Sequence, residues 1–248
     1  MKRLFPSRHS LAATVLALTS ATALAGYQED FSTVDEGTLL KDVPGWAVHY
    51  PADATGEGAV CMLNAGYNGR GVRFSSKESF KITLPPEKIV SILEGHPSVK
   101  FKIRLIDDAY AAAQVVVGQS DGVNGFSVRF QGGNSQDSRD NTVRISTEGT
   151  NWGNGESKTL TEANWKPEVW YEVIISDIVP GASLRGTETK AKLSIREADN
   201  PGEFLVKDQE IGAVGTSGKF EFIDAIAIGN SGVRRAFDID DITVSGEK

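Results

Sequence analysis

The chain has 248 residues, of which 40% are hydrophobic and 24% are charged, so it is long enough to bury a substantial core. Its 33 acidic residues outnumber its 26 basic residues, which gives a formal net charge of −7. This acidic balance argues against nucleic acid as a partner, because domains that bind nucleic acid are typically basic. The single cysteine, Cys61, excludes an intramolecular disulfide, and we expect it to be a small buried apolar residue.

The amino terminus has the three parts of a secretory signal peptide. Basic residues lie near its start, an apolar alanine-rich stretch covers residues 11–24, and small residues stand immediately before Gly26. We predict a signal peptide over residues 1–25 and one domain over residues 26–248. The protein is then exported to the periplasm or the extracellular space. The alternative is an uncleaved membrane anchor, but the apolar stretch is shorter than the about 20 residues that cross a bilayer. We therefore expect cleavage, with no membrane span after it.

Short runs with alternating apolar and polar residues, separated by turns rich in Gly, Asn, Asp and Ser, dominate the rest of the chain. This period-two pattern is typical of half-buried β-strands. Many such strands with little helical periodicity indicate a sandwich or a barrel. The predicted strands cover residues 79–84, 99–105, 126–130, 143–146, 170–176, 190–196, 219–228 and 237–244.

One segment departs from the strand pattern. Pro86 stands at a plausible first helical position, and Gly95 follows the end of the segment. Between them, Ile89, Ile92 and Leu93 have a spacing that would cover one edge of the core. We therefore predict one short helix bridging two strands.

Three segments carry motifs found in a known class of secreted domain. Glu29-Asp30-Phe31-Ser32 precedes Gly45-Trp46, residues 165–173 read WKPEVWYEV, and residues 237–244 read FDIDDITV. They resemble the opening, middle and closing strands of concanavalin A-like, laminin-G-like jelly rolls. The resemblance implies an all-β, two-sheet antiparallel jelly-roll sandwich whose first and last strands pair. It also implies lectins, glycan-cleaving enzymes and structural modules alike, so the fold does not choose a function.

The enzymes of this superfamily carry residue patterns that the chain does not reproduce. Glucanases of the fold place Glu-x-Asp-x-x-Glu on one strand. Here the comparable acidic strand contains only Asp238, Asp240 and Asp241. Alginate lyases of the fold need a Gln-x-His strand, whereas Arg129 and Gln131 share one face with no histidine after them. Catalysis by either route is therefore not expected.

We accordingly expect an exported, non-catalytic module that binds a polysaccharide or a cell-surface glycan. Two alternatives stay open. One is a polysaccharide lyase or glycoside hydrolase whose site follows neither pattern, and the other is a structural or interaction module without a small ligand.

Basic residues occupy the side opposite the apolar residues in the alternating strands. If these strands share one sheet, the sheet has a basic face that suits the carboxylates or sulfates of an anionic polysaccharide. The alternative is a solvated outer face on which Lys and Arg protect edges against aggregation. We select Arg104, Arg129, Gln131 and Arg144 as candidate ligand contacts. The charged members are Lys81, Lys100, Lys102, Arg104, Arg129, Arg144, Lys192 and Arg196.

The four tryptophans fall into two groups. Trp46, Trp165 and Trp170 lie in or beside apolar strands, and we expect them to pack in the core or against a hairpin. Trp152 is flanked by Gly and Asn, so few sequence neighbours can bury it. We therefore select Trp152 as a candidate for stacking on a sugar ring.

A structural calcium ion is a further hypothesis. The apolar phase of the closing strand slips after Ile239, which predicts a β-bulge at Asp240 and Asp241. Pairing of the two end strands would bring Asp30 close to them. Three carboxylates supply the hard oxygen ligands that calcium prefers, so we select Asp30, Asp240 and Asp241 as candidate metal ligands.

Overall fold

The structure is a computed structural model that describes residues 26–106, 112–120, 124–132, 141–148, 156–181, 189–215, 220–230 and 236–246. The predicted signal peptide, residues 1–25, lies outside these ranges. In the described ranges, no helix has both the length and the apolar composition needed to cross a membrane.

The described chain consists of short strands joined by turns. The strands are β1 Gly26–Glu29, β2 Trp46–Tyr50, β3 Ala59–Met62, β4 Gly71–Phe74, β5 Ser79–Thr83, β6 Val90–Ser91, β7 Ser98–Leu105, β8 Ala112–Gly118 and β9 Asn124–Gln131. They continue with β10 Thr142–Glu148, β11 Glu156–Leu160, β12 Trp170–Val179, β13 Lys190–Glu197, β14 Phe204–Gly212, β15 Val214–Gly215, β16 Phe222–Ile223, β17 Ala225–Asn230 and β18 Phe237–Ser245.

Two large antiparallel sheets form a sandwich, which confirms the predicted fold class. Sheet I has the strand order β14-β13-β12-β7-β18-β4-β3, and β1 pairs with β18 off this path. Sheet II has the order β11-β10-β9-β8-β17-β5-β2, and β15 pairs with β9 off this path. The first strand pairs with the last, with Gly26 opposite Ser245, as the resemblance implies.

The inner faces of the two sheets share one hydrophobic core. Strand β9 shows how alternation creates it, because Phe126, Val128 and Phe130 are each at most 1% exposed. In sheet I, Phe74 stacks on Phe237 with 4.7 Å between ring centroids and 3° between ring planes. Burying such rings supplies the main favourable free energy of folding, since the chain has no disulfide.

Two predictions about buried residues are confirmed, one of them in part. Trp46 and Trp165 belong to the core at 5% and 2% exposure, and Cys61 is fully buried. Trp170 is 8% exposed but lies outside the core, because it pairs with Arg104 on the outer face of sheet I. Burial raises the pKa of the Cys61 thiol to about 11. A thiol with such a pKa carries little thiolate at neutral pH, so Cys61 is a poor nucleophile.

The predicted helix is the clearest error in secondary structure. Within this segment, the helical part is limited to a 3₁₀ turn at Pro86–Lys88. Strand β6 follows it and pairs with β16. Val90 and Ile92 are each 2% exposed, whereas Leu93 is 47% exposed, so burial here follows period two rather than a helical period. β-branched residues favour this extended pairing over a further helical turn.

The stability of the sandwich should depend on the ring pair between β4 and β18. We expect Phe237→Ala to lower the free energy of unfolding by about 3–5 kcal/mol, because it removes a buried ring and leaves a cavity. Val179→Ala on an exposed side chain should change it by less than about 0.5 kcal/mol. Urea denaturation of both variants measures the difference, and equal losses would contradict this account of the core.

Candidate functional site

The predicted basic residues lie on two different sheets. Lys81 on β5, Arg129 on β9 and Arg144 on β10 belong to sheet II. The others belong to β7 and β13 of sheet I. The condition for a single basic face is therefore not met, because the fold assigns these strands to opposite sides of the sandwich. The residues on sheet I are Lys100, Lys102, Arg104, Lys192 and Arg196.

On the outer face of sheet I, Arg104 belongs to a buried ion cluster. The fully buried Asp238 carboxylate accepts hydrogen bonds from Arg73 Nε at 2.8 Å and from Arg104 Nη2 at 2.5 Å. Arg104 Nη2 also donates to the Asn64 carbonyl oxygen at 2.7 Å. Hydrogen bonding to Asp238 raises the pKa of Arg73. Because Arg104 satisfies an internal carboxylate, we place it in the framework of sheet I rather than in a ligand-binding face.

Other bases on this face are also neutralised within the chain. Each ion pair joins a base on β7 or β13 to an acid of the same sheet. Such pairs leave little net positive charge to attract an anionic ligand. The pairs are Lys102 with Asp241, Lys192 with Asp177 and Arg196 with Glu172.

Residues 63–70 cross the outer face of sheet I, and Tyr67 anchors them. The Tyr67 ring lies 5.9 Å from the Trp170 ring in an edge-on arrangement, and Lys102 Nζ lies 3.6 Å from its centroid. Its hydroxyl donates to Asp199 at 2.8 Å, and its backbone N–H donates to Asp240 at 2.8 Å. These contacts hold the segment against Trp170, Lys102 and Asp240 on the outer face of sheet I.

Asp240 lies at a β-bulge, as predicted. The register of β18 against β7 shifts between Asp240 and Thr243, and Asp241 has a positive φ of 51°. Asp240 is only 3% exposed, and its Oδ1 has no hydrogen-bond partner in the described part of the chain. Burial raises the pKa of Asp240 to about 6.

The three candidate calcium ligands have separate contacts. Asp30 accepts a hydrogen bond from the Ser32 backbone N–H at 3.0 Å, and Asp241 pairs with Lys102 at 2.7 Å. Asp240 binds the loop above it. Among the described residues, no group of three or more His, Cys, Asp or Glu side chains is placed to hold a metal ion. The calcium ion therefore stays a prediction.

A row of laterally paired residues crosses the outer face of sheet II from one edge to the other. Neither this cross-strand row nor the row beside it contains an acidic residue, in contrast to sheet I. The cross-strand row is Thr159, Arg144, Arg129, Gln114, Gly229, Ser79 and Tyr50. The neighbouring row includes Ser127, Val116, Ala227, Lys81 and Ala47.

Arg129 and Arg144 lie directly opposite each other in the cross-strand row. Burial and the charge of Arg144 lower the pKa of Arg129. Gln131 lies opposite Thr142 on the same two strands. Like charges that face each other across strands destabilise a sheet, and an anion bound to both would relieve that repulsion. Sheet II thus brings three of the predicted contact residues together, while Trp152 lies outside the described residues.

The centre of the cross-strand row combines small residues with buried polar ones. Gly229 lies between Gln114 and Ser79, which are 5% and 3% exposed. Gln114 Nε2 donates to Ser127 Oγ at 2.8 Å. Gln114 Oε1 and Ser79 Oγ have no hydrogen-bond partner in the described ranges. Buried polar atoms without partners are costly, and a water molecule or a ligand hydroxyl would satisfy them.

Lys81 covers the other end of the small residues on β17. Its Nζ donates to the Ser120 carbonyl oxygen at 2.8 Å, so its side chain crosses β17 on the outer face. Ala225 and Ala227 are 4% and 7% exposed, as expected for residues beneath it. The part of β17 that Lys81 does not cross is Gly229, in the cross-strand row.

Residues 118–122 read GQSDG, which has the Gly-x-Ser-x-Gly spacing of a nucleophile elbow. The Ser120 hydroxyl donates to Asp224 Oδ2 at 2.8 Å, and its backbone N–H donates to Asp224 Oδ1 at 2.6 Å. Asp224 is 8% exposed. The described contacts of Ser120 thus tie the end of β8 to the start of β17, and we assign it a structural role.

Five of the seven residues of the cross-strand row were not selected from the sequence, among them Gln114, Ser79 and Tyr50. Gln114 lies in β8, whose run AAQVVVG is too apolar to show alternation. Ser79 and Tyr50 carry no distinctive motif, and only the register places them in line with Arg129. The one sequence signal for them was alternation, which places the neighbours of an apolar strand residue on the outer face.

No protein-family model matches the chain, and no curated protein matches it either. Solved structures share the fold. The lectin UEA-II complexed with galactose has a TM-score of 0.50 and 10% identity, covering 90% of this chain and 98% of that chain. The Crh5 transglycosylase in complex with NAG has a TM-score of 0.50 and 9% identity, with 91% and 86% covered.

A third solved structure is the binding domain of Paraclostridial Mosquitocidal Protein 1, with a TM-score of 0.42 and 11% identity. The match covers 77% of this chain but spans only 42% of that chain. At 10% and 9% identity, the likenesses to the lectin UEA-II and the Crh5 transglycosylase show a shared fold and nothing more.

The raised pKa of Asp240 has a definite effect on stability. Because the folded pKa of about 6 exceeds the ordinary value of 3.8, the native state holds the proton more tightly. The resulting stabilisation is present below about pH 4 and is lost as pH rises through about 6. The side chain of Asp240→Asn is neutral at every pH. As pH rises from about 4 to above 6, the free energy of unfolding of this variant should therefore increase relative to that of the wild type by up to about 3 kcal/mol.

Urea denaturation of both proteins at several pH values, in a chelator, measures this gain. Asp241→Asn is the matched control, because Asp241 is more exposed and paired with Lys102. A difference between wild type and Asp240→Asn that is constant with pH would contradict the assignment.

The calcium prediction has a separate test. If calcium binds at Asp30, Asp240 and Asp241, excess calcium should raise the melting temperature of the wild type above its value in chelator. Asp240→Asn should reduce that rise. Equal melting temperatures of the wild type in calcium and in chelator would eliminate the ion.

Proposed function

We propose that the protein is an exported, non-catalytic module that binds an anionic polysaccharide on the outer face of sheet II. The observation that carries the proposal is the facing pair of Arg129 and Arg144 in a row of hydrogen-bonding residues without a carboxylate. Guanidinium groups bind carboxylates and sulfates through two hydrogen bonds, and two of them in line favour a polymer with repeated negative charges.

The composition of the two outer faces supports this choice. On sheet I, the buried carboxylate of Asp238 and the acids beside it already engage the basic side chains. On sheet II, the facing pair Arg129 and Arg144 is followed on the same two strands by the facing polar pair Gln131 and Thr142. Ligand hydroxyls find both donors and acceptors there, while ligand anions find positive charge.

Two solved structures of the same fold hold a sugar, galactose in the lectin UEA-II and NAG in the Crh5 transglycosylase. They support a sugar ligand for this sandwich without indicating which one. The proposed export rests on the signal-peptide pattern of residues 1–25.

The purified protein should bind pectate, alginate or a sulfated galactan more tightly than a neutral glucan. Arg129→Ala and Arg144→Ala should each weaken that binding by about tenfold or more, because each removes a charge-assisted hydrogen bond. Affinity should also fall as salt increases. Titration calorimetry with each polymer at low and high salt measures all three effects.

Arg196→Ala is the matched control, since it removes the same charge from the outer face of sheet I. Its affinity should equal that of the wild type. Equal weakening by all three arginine variants, or affinity indifferent to salt, would contradict the proposed face. New reducing ends or unsaturated uronates in the same mixtures would instead identify the protein as a hydrolase or a lyase.

A further inference from the structure

An aromatic ring ends the cross-strand row at the edge opposite the arginines. Tyr50 belongs to β2, and its side chain is 60% exposed. Single exposed apolar residues are ordinary on protein surfaces, so exposure alone does not identify a site. The position of Tyr50 is what distinguishes it, because it is opposite Ser79 in the row that contains Arg129 and Arg144.

A bulge places the Tyr50 ring on this face. The register of β2 against β5 shifts between Val48 and Tyr50, so His49 and Tyr50 both oppose Ser79. Val48 pairs with Phe80, whose side chain is fully buried. Ser79 points to the outer face, and Tyr50 shares that side with it. Bulges re-aim side chains in this way at sheet edges and beside binding sites.

Between Tyr50 and the arginines, the cross-strand row contains residues that project little above the sheet. Ser79 and Gly229 have the smallest side chains in it, and Lys81 crosses β17 beside them rather than over Gly229. The row therefore has an aromatic ring at one edge, a small-residue floor at its centre and two guanidinium groups near its other edge. A ligand that uses both ends must be extended.

We infer that Tyr50 is a stacking platform for a sugar ring, and that the ligand is a linear chain lying across the strands from Arg144 to Tyr50. The inference rests on the proposed function and specifies how its ligand lies. The row from β10 to β2 spans five interstrand spacings, or about 24 Å. Only an oligosaccharide of several residues can reach both ends, whereas a disaccharide reaches one.

The test uses size-fractionated oligosaccharides of pectate, alginate and a sulfated galactan, from the disaccharide upward. Affinity should rise with length until the chain spans the row. Tyr50→Ala should weaken binding of the long chains about threefold to tenfold, because ring stacking is lost. The same variant should bind the disaccharide as the wild type does, because a disaccharide needs only the arginines.

Two control variants separate stacking from other effects. Tyr50→Phe keeps the ring and should retain the wild-type affinity for long chains. Phe204→Ala removes an exposed ring from an edge strand of sheet I and should leave binding unchanged. Circular dichroism and the melting temperature verify that each variant is folded.

The outcomes distinguish this inference from the proposed function. If the affinity for long chains depends on Arg129 and Arg144 but is unchanged by Tyr50→Ala, the stacking platform is overturned and the proposed function is left intact. Affinity that does not increase beyond the disaccharide would overturn the extended ligand. No binding of any anionic oligosaccharide would overturn both.

Discussion

The fold follows from one constraint, which is that two sheets must bury their apolar faces against each other. Each strand alternates, so every residue beside a core residue is sent to an outer face. In β9, for example, Phe126, Val128 and Phe130 fill the core while Arg129 faces outward. With the inner faces occupied by Phe, Ile and Val, the polar chemistry of the sandwich strands lies on two outer surfaces. The sequence of each strand therefore describes a core and a surface at once, and the topology decides which surfaces combine.

The two outer faces differ in how their charged side chains are arranged. Sheet I places Asp238 on its central strand, where burial would be very costly for an isolated carboxylate, and Arg73 and Arg104 offset that cost. The segment anchored by Tyr67 contacts this cluster, because its Asn64 carbonyl oxygen accepts a hydrogen bond from Arg104. The charged side chains of this cluster thus help to hold sheet I and its covering segment together. On sheet II, the cross-strand row and the row beside it contain no carboxylate, and Arg129 lies directly opposite Arg144.

Alternation was enough to predict the all-β class, the bulge at Asp240 and the strands in which apolar and polar residues alternate clearly, because each depends on local sequence. It missed strands in which that alternation is short or absent, such as β3, β4 and β8. It was not enough to predict which strands share a sheet, since a jelly roll sends strands near in sequence to opposite sheets. The grouping of Arg104 with Arg129 failed for this reason: β7 is in sheet I and β9 is in sheet II. The roles of Gln114 and Tyr50 depend on register between strands far apart in the chain, which no local pattern contains. The predicted helix failed because Val90 and Ile92 pack with period two.

Packing alone explains several small residues on the outer face of sheet II. Gly229 is required by the fold itself, because a Cβ there would collide with the Ser79 side chain. Ala225 and Ala227 are small because Lys81 crosses them. Arg129 directly opposite Arg144, and the buried Gln114 Oε1 without a partner in the described chain, are exceptions to the usual pairing rules of a sheet. Such exceptions are expected at functional or strained sites. In sheet II those two exceptions fall in a single row, which is why we place the ligand there.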